Sequence, residues 1–96
     1  MYANLVMFTL GSGTGAQAEK IADKFAEVHK QLKGFKGDTY IGDYEIGEYG
    51  SLTLWETVED LKAATDILRP MLTEALSGIA KGPPTARVFQ VYEPKA

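Results

Sequence analysis

The chain has 96 residues, a formal charge of -3 at neutral pH and no cysteine. That length suits one domain with a single core, read here as residues 1–96, and leaves no room for a cleft between two domains. The acidic balance argues against nucleic acid or an anionic membrane as partner, and the absence of thiols removes disulfide and thiolate–metal chemistry.

No basic region precedes the first apolar run, whose start carries Asn4, and no run approaches membrane-spanning length. Neither a signal peptide nor a membrane span is expected, which makes the cytoplasm the expected location. Residues 2–10 alternate as a strand, with Tyr2, Asn4, Val6, Phe8 and Leu10 on one face and Ala3, Leu5, Met7 and Thr9 on the other. A glycine-rich turn over 11–15 leads into a helix predicted over about 16–33, where Ala18, Ile21, Ala22, Phe25, Val28 and Leu32 form one stripe and Gly34 stops it. Tyr40, Gly42, Tyr44 and Ile46 alternate along a second strand, and Gly47–Gly50 is read as the hairpin turn into a third strand ending near Trp55.

Thr57 followed three residues later by Asp60 resembles a capping box at the start of helix two. Pro70 is expected to break that helix, with Met71–Ile79 continuing beyond a kink. Gly82-Pro-Pro84 closes the segment, and Arg87–Tyr92 is the last strand. The order βαββαβ predicts a ferredoxin-like α+β fold with a four-stranded antiparallel sheet. Two helices can cover only one face of such a sheet. Leu5, Met7, Leu52 and Leu54 would then lie in water on the other, so a homodimer with the sheets face to face is expected.

Several residues carry possible chemistry. Gly11-Ser-Gly13-Thr-Gly15 sits where a phosphate-binding loop would, but its GxGxG spacing is neither a dinucleotide fingerprint nor a Walker loop, and a plain turn is expected. His29 is the only histidine, so any imidazole chemistry rests on it; a half-exposed helical position competes with a role as general base. Asn4 places an amide on an otherwise apolar face, where it needs a partner from the protein or a ligand. Trp55 reads first as core and second as the wall of a flat aromatic site. Tyr40 and Tyr44 bring two hydroxyls to one strand face, and Arg69 stands at the helix-two break.

Three segments carry a family resemblance: Leu32-Lys-Gly34-Phe35, Leu52-Thr-Leu-Trp55-Glu56 with Val58-Glu-Asp-Leu61, and Arg87-Val-Phe-Gln-Val-Tyr92. With this order of elements the chain resembles the antibiotic-biosynthesis-monooxygenase family of dimeric α+β barrels. The resemblance implies a cofactor-independent monooxygenase acting on a small quinol- or anthrone-like aromatic. Asn4 would serve as oxyanion donor, His29 as candidate base, Phe8 and Trp55 as apolar walls, Tyr40 or Tyr44 as a hydroxyl contact and Arg69 as a residue of the pocket mouth. No cofactor and no metal are expected.

The family's helix-two histidine is absent, because counting from Trp55 gives Ala64. The axial histidine of the haem-degrading branch falls near Glu74, which disfavours haem. Two other readings stay open: a non-catalytic module binding a small apolar molecule, and a dimerisation module without a pocket.

Overall fold

Alternation along the first strand and a 3.6-residue apolar stripe in each helix decide which surfaces meet. The computed structural model describes residues 1–95. It runs β1 (Tyr2–Thr9), α1 (Gly15–His29), β2 (Phe35–Asp43), β3 (Glu48–Trp55), α2 (Val58–Leu76) and β4 (Thr85–Gln90). The strands form one antiparallel sheet in the order β2-β3-β1-β4, which is the expected ferredoxin-like α+β arrangement.

Register sorts the side chains by face. Asn4 pairs with Thr53 on one side and Val88 on the other, while Asp38 and Tyr40 pair with Thr53 and Ser51. Asn4, Val6 and Phe8 therefore share the helix-covered face with Asp38, Tyr40, Thr53 and Trp55. Under the helices the core divides in two. Leu10, Ala18, Tyr49 and Leu76 pack at one end, and Trp55, Leu61 and Ala64 at the other. The opposite face leaves Leu52, Ile41 and Phe89 exposed.

Four sequence expectations are corrected. Helix α1 ends at His29 rather than near residue 33, and Gly34 then reverses the chain with φ +81°. A side chain on Gly34 would run into the carboxylate of Asp60, so the site requires glycine on two counts. The β2–β3 turn falls at residues 44–47, which puts Tyr44 and Ile46 in the turn and Glu48–Gly50 inside β3. The turn is held there because Leu10 and Gly11 donate backbone hydrogen bonds to the Gly47 carbonyl (2.8 and 3.3 Å). β4 begins at Thr85, two residues earlier than expected, and ends at Gln90.

The fourth correction concerns helix α2, which passes through Pro70 without interruption. Proline removes one backbone donor, but Leu61, Ala64, Leu68, Leu72 and Leu76 form a single stripe that is buried or half-buried on both sides of it. Burying that stripe outweighs the one lost bond. At the start of the helix the expected cap is present, with the Thr57 hydroxyl accepting from the Asp60 amide at 3.0 Å.

Candidate functional site

Helix α1 lies over β2, and α2 over β1 and β3. Between the helices and the sheet they leave a cavity of about 480 Å³, within the usual range for a small-molecule site. Asn4, Val6 and Phe8 from β1 line it with Ile21, Phe25 and His29 from α1, Tyr40 from β2 and Leu68, Arg69 and Leu72 from α2. Its wall is mostly aliphatic and aromatic, so the few polar groups on it decide what it can recognise.

His29 occupies the last turn of α1 and is buried, at 3% exposure. The expected half-exposed position is thereby corrected. Residue 29 follows the buried Phe25 by one helical turn and so faces the sheet, while Leu32, past the end of α1, packs against the Trp55 cluster. The imidazole stacks on Phe35 and Tyr40 and meets Phe25 and Trp55 edge-on, with ring centroids 5.8 to 6.4 Å away. Its Nδ1 lies 3.3 Å from Asp38 Oδ2 and 3.1 Å from the Tyr40 hydroxyl. The Tyr40 hydroxyl donates to the same Asp38 oxygen at 3.0 Å. Burial lowers the His29 pKa, with Asp38 pulling part of the way back. Desolvation first, and then Asp38, pushes the Tyr40 phenol well above its ordinary range.

Asn4 contributes the other polar group. Its Oδ1 is the one buried side-chain polar atom without a hydrogen-bond partner among the described residues. Such an atom is costly to leave unpaired and is satisfied when a ligand supplies a donor. A turn of the carboxamide would present Nδ2 instead, since neither amide atom is tied to another side chain.

The remaining candidates are placed as follows. Phe8 lines the cavity and lies 6.3 Å from the Tyr49 ring. Tyr44 stands at its rim, edge-on to Tyr49 at 5.4 Å, and donates to Glu19 at 2.8 Å. That hydrogen bond raises the Tyr44 pKa. Tyr40 and Tyr44 do not share a strand face, because Tyr44 belongs to the turn. Arg69 reaches the cavity from α2 and forms no ion pair among the described residues. Trp55, read first as core and second as a wall, lies outside the cavity lining. It is 1% exposed, packs edge-on to Phe35 at 5.6 Å and donates from Nε1 to Thr53 Oγ1 at 2.9 Å.

Asp38 was not among the residues singled out from sequence. One signal was available, because Asp38 and Tyr40 stand two apart on one strand and so share a face. Nothing in the spacing said that this face would meet the end of α1. The glycine-rich loop is tied to the protein's own groups. The Thr14 hydroxyl donates to the Gly11 carbonyl at 2.6 Å and meets the Tyr49 hydroxyl at 3.0 Å, and the loop is docked on the β2–β3 turn.

Helix α2 offers no axial ligand for haem. Ala64 is buried in the core and Glu74 is exposed, while the α2 residues that do reach the cavity (Thr65, Leu68, Arg69, Leu72 and Thr73) include no imidazole or thiolate. Among the described residues no helix is long and apolar enough to cross a membrane.

No family model and no curated protein sequence matches the chain. Solved structures do. A monooxygenase from the gene ActVA-Orf6 of Streptomyces coelicolor, in complex with nanaomycin D, matches with a TM-score of 0.77 at 22% identity, over 99% of this chain and 90% of that one. SnoaB, a cofactor-independent oxygenase from Streptomyces nogalater, matches with 0.76 at 17% identity, over 97% and 94%. A mutant of MhuD with two manganese protoporphyrins bound per active site matches with 0.74 at 20% identity, over 100% and 99%. A putative antibiotic biosynthesis monooxygenase from Deinococcus radiodurans matches with 0.80 at 13% identity, over 100% and 97%, so the chain has the fold of that family over nearly its whole length, as the sequence resemblance implied.

Proposed function

We propose that this protein is a cofactor-independent monooxygenase that takes a small, flat, electron-rich aromatic of the quinol or anthrone class. The observation that carries the proposal is the meeting, in one apolar cavity, of a buried imidazole and an amide whose carbonyl oxygen is buried without a partner. The fold shared with a cofactor-independent oxygenase and with a monooxygenase holding nanaomycin D supports it.

In the proposed reaction the substrate loses a proton to His29 Nε2, and the charge gathers on an oxygen beside the Asn4 amide, which turns its NH2 group towards it. The electron-rich anion passes one electron to dioxygen, and the resulting radical pair joins as a peroxide at carbon. Loss of water then leaves a carbonyl: an aromatic CH2 and O2 become C=O and H2O. The protein contributes orientation, exclusion of water and stabilisation of the anion. Phe8, Val6 and Leu68 flank the ring, and Tyr40 and Arg69 offer polar contacts at its edge.

The same reading makes the protein a homodimer joined through the uncovered sheet face, where Ile41, Leu52 and Phe89 are exposed.

Turnover of anthrone under 18O2 tests the reaction. One labelled oxygen in the new carbonyl and the other in water is the expected result. An unlabelled carbonyl, or no product above autoxidation, would reject it.

A further inference from the structure

We propose that the cavity also carries an activity that needs no oxygen: reversible removal of a proton from a carbon acid by His29, with Asp38 and Tyr40 as the residues that position the base. The inference rests on the cavity described above but not on its reaction with dioxygen.

The geometry fixes the imidazole in three ways. Asp38 and Tyr40 project from alternate positions of β2, so both face the last turn of α1. A carboxylate only accepts hydrogen bonds. With Asp38 Oδ2 at 3.3 Å from Nδ1, and the Tyr40 hydroxyl donating to the same oxygen, the neutral ring carries its proton on Nδ1. The lone pair is then on Nε2, which has no hydrogen-bond partner among the described residues and belongs to a residue that lines the cavity. Lastly, Phe35 and Tyr40 stack on the ring while Phe25 and Trp55 meet it edge-on, which resists rotation about its side-chain axis.

Asp38 thus acts through His29. It selects the tautomer and stabilises the imidazolium that forms, as an oriented carboxylate does wherever a histidine works as a base. Its side chain is 22% exposed against 4% for His29, so the acceptor stays partly hydrated while the base stays dry. Burial keeps the imidazole unprotonated at neutral pH despite the nearby carboxylate.

The step balances without an oxidant. A C–H bond conjugated with a carbonyl, directly or through an aromatic ring as in anthrone, breaks; the proton goes to Nε2 and the electron pair to the carbonyl oxygen as an enolate. The enolate is held by the Asn4 amide. The proton, or a deuteron exchanged in from solvent, returns to carbon. Substrates of this activity are ketones whose enol form is aromatic, the tautomers of electron-rich phenols.

Two measurements test the proposal. Anthrone is incubated with the protein in D2O under argon, and deuterium in its methylene group is followed by mass spectrometry. Exchange should exceed buffer alone, fall about 10²-fold in His29→Gln, fall about 10-fold or more in Asp38→Asn and fall less in Tyr40→Phe. Because the chain has one histidine, 15N-histidine NMR of the ligand-free protein reads its tautomer without ambiguity. The Nδ1–H form should dominate in the native protein and give way to a mixture in Asp38→Asn.

Exchange no faster than buffer, undiminished exchange in His29→Gln, or an Nε2–H tautomer in the native protein would overturn the inference. Oxygen uptake without anaerobic exchange would overturn it while leaving an oxygenase that deprotonates its substrate by a route other than His29. Exchange without uptake would do the reverse.

Discussion

His29 on the last turn of α1 and Asp38 on β2 are nine residues apart, and their Nδ1 and Oδ2 atoms lie 3.3 Å apart, with the imidazole lining the cavity and the carboxylate outside its lining. The reversal at Gly34 brings them together, and burial of the ring makes the contact consequential. A histidine on a solvated helix end would titrate near pH 6.5; here desolvation lowers its pKa. The unprotonated ring is the working form, so kcat/KM should rise with pH through a value below 6.5 and then stay flat. Asp38→Asn removes the two influences that raise this pKa, the hydrogen bond and the charge. The rising limb should therefore move to lower pH in that variant. A limb that does not move contradicts the pairing.

The same lowered pKa bears on stability. Below about pH 6.5 an unfolded chain binds a proton at His29 that the folded chain refuses. The His29 contribution is fully present above that pH and is lost as pH falls through the folded pKa. Urea unfolding between pH 7.5 and 5.5 should show a decline that His29→Gln flattens. Equal slopes in both proteins would show that His29 titrates alike in the folded and unfolded states.

Asn4→Ala should lower turnover about 10²-fold or more, since it removes the amide expected to hold the oxyanion. It should leave the melting temperature close to native, because Oδ1 has no partner to lose. Steady-state kinetics beside a thermal melt separate the two effects. Full activity in the variant would dismiss Asn4 from the chemistry.

Trp55→Phe should behave in the opposite way. The indole is 1% exposed and donates to Thr53 Oγ1, so the variant loses a buried hydrogen bond and some packing volume. A loss of about 2 kcal/mol is expected, with activity per folded molecule falling far less than in His29→Gln, since phenylalanine keeps an aromatic edge against the imidazole. A large fall in kcat with native stability would return Trp55 to the site.

Pro70 sits inside a continuous helix on an exposed position. Pro70→Ala restores a backbone donor facing the Asp66 carbonyl and removes a ring clash. It should stabilise the protein by about 2 kcal/mol, because proline costs about 3 kcal/mol in a helix interior and returns part of that by stiffening the unfolded chain. Unchanged or lower stability would mean that the helix has already adapted to the proline.

Much of the architecture was legible in the sequence because it depends on period. Alternation from Tyr2 to Leu10, the stripe through Phe25 and the cap at Thr57 each predict their element and the face it buries. What the sequence left hidden depends on docking. Pro70 reads as a break until the stripe from Leu61 to Leu76 is seen packed on one sheet. Tyr44 reads as a strand residue until Gly47 is seen holding the turn against Gly11. Asp38 reads as one more surface acid until the end of α1 comes down beside it. Trp55 reads from the sequence as core first and as a pocket wall second, and its burial and its bond to Thr53 place it in the core.

Oxygen uptake on a small panel of quinols and anthrones, with Asn4→Ala and His29→Gln measured alongside, decides whether the cavity supports oxygen chemistry. Uptake above the autoxidation background in the native protein and a fall in both variants are expected. Uptake at background in a protein that those compounds still stabilise thermally would contradict the oxygenase reading, and would make the cavity a binding site without oxygen chemistry.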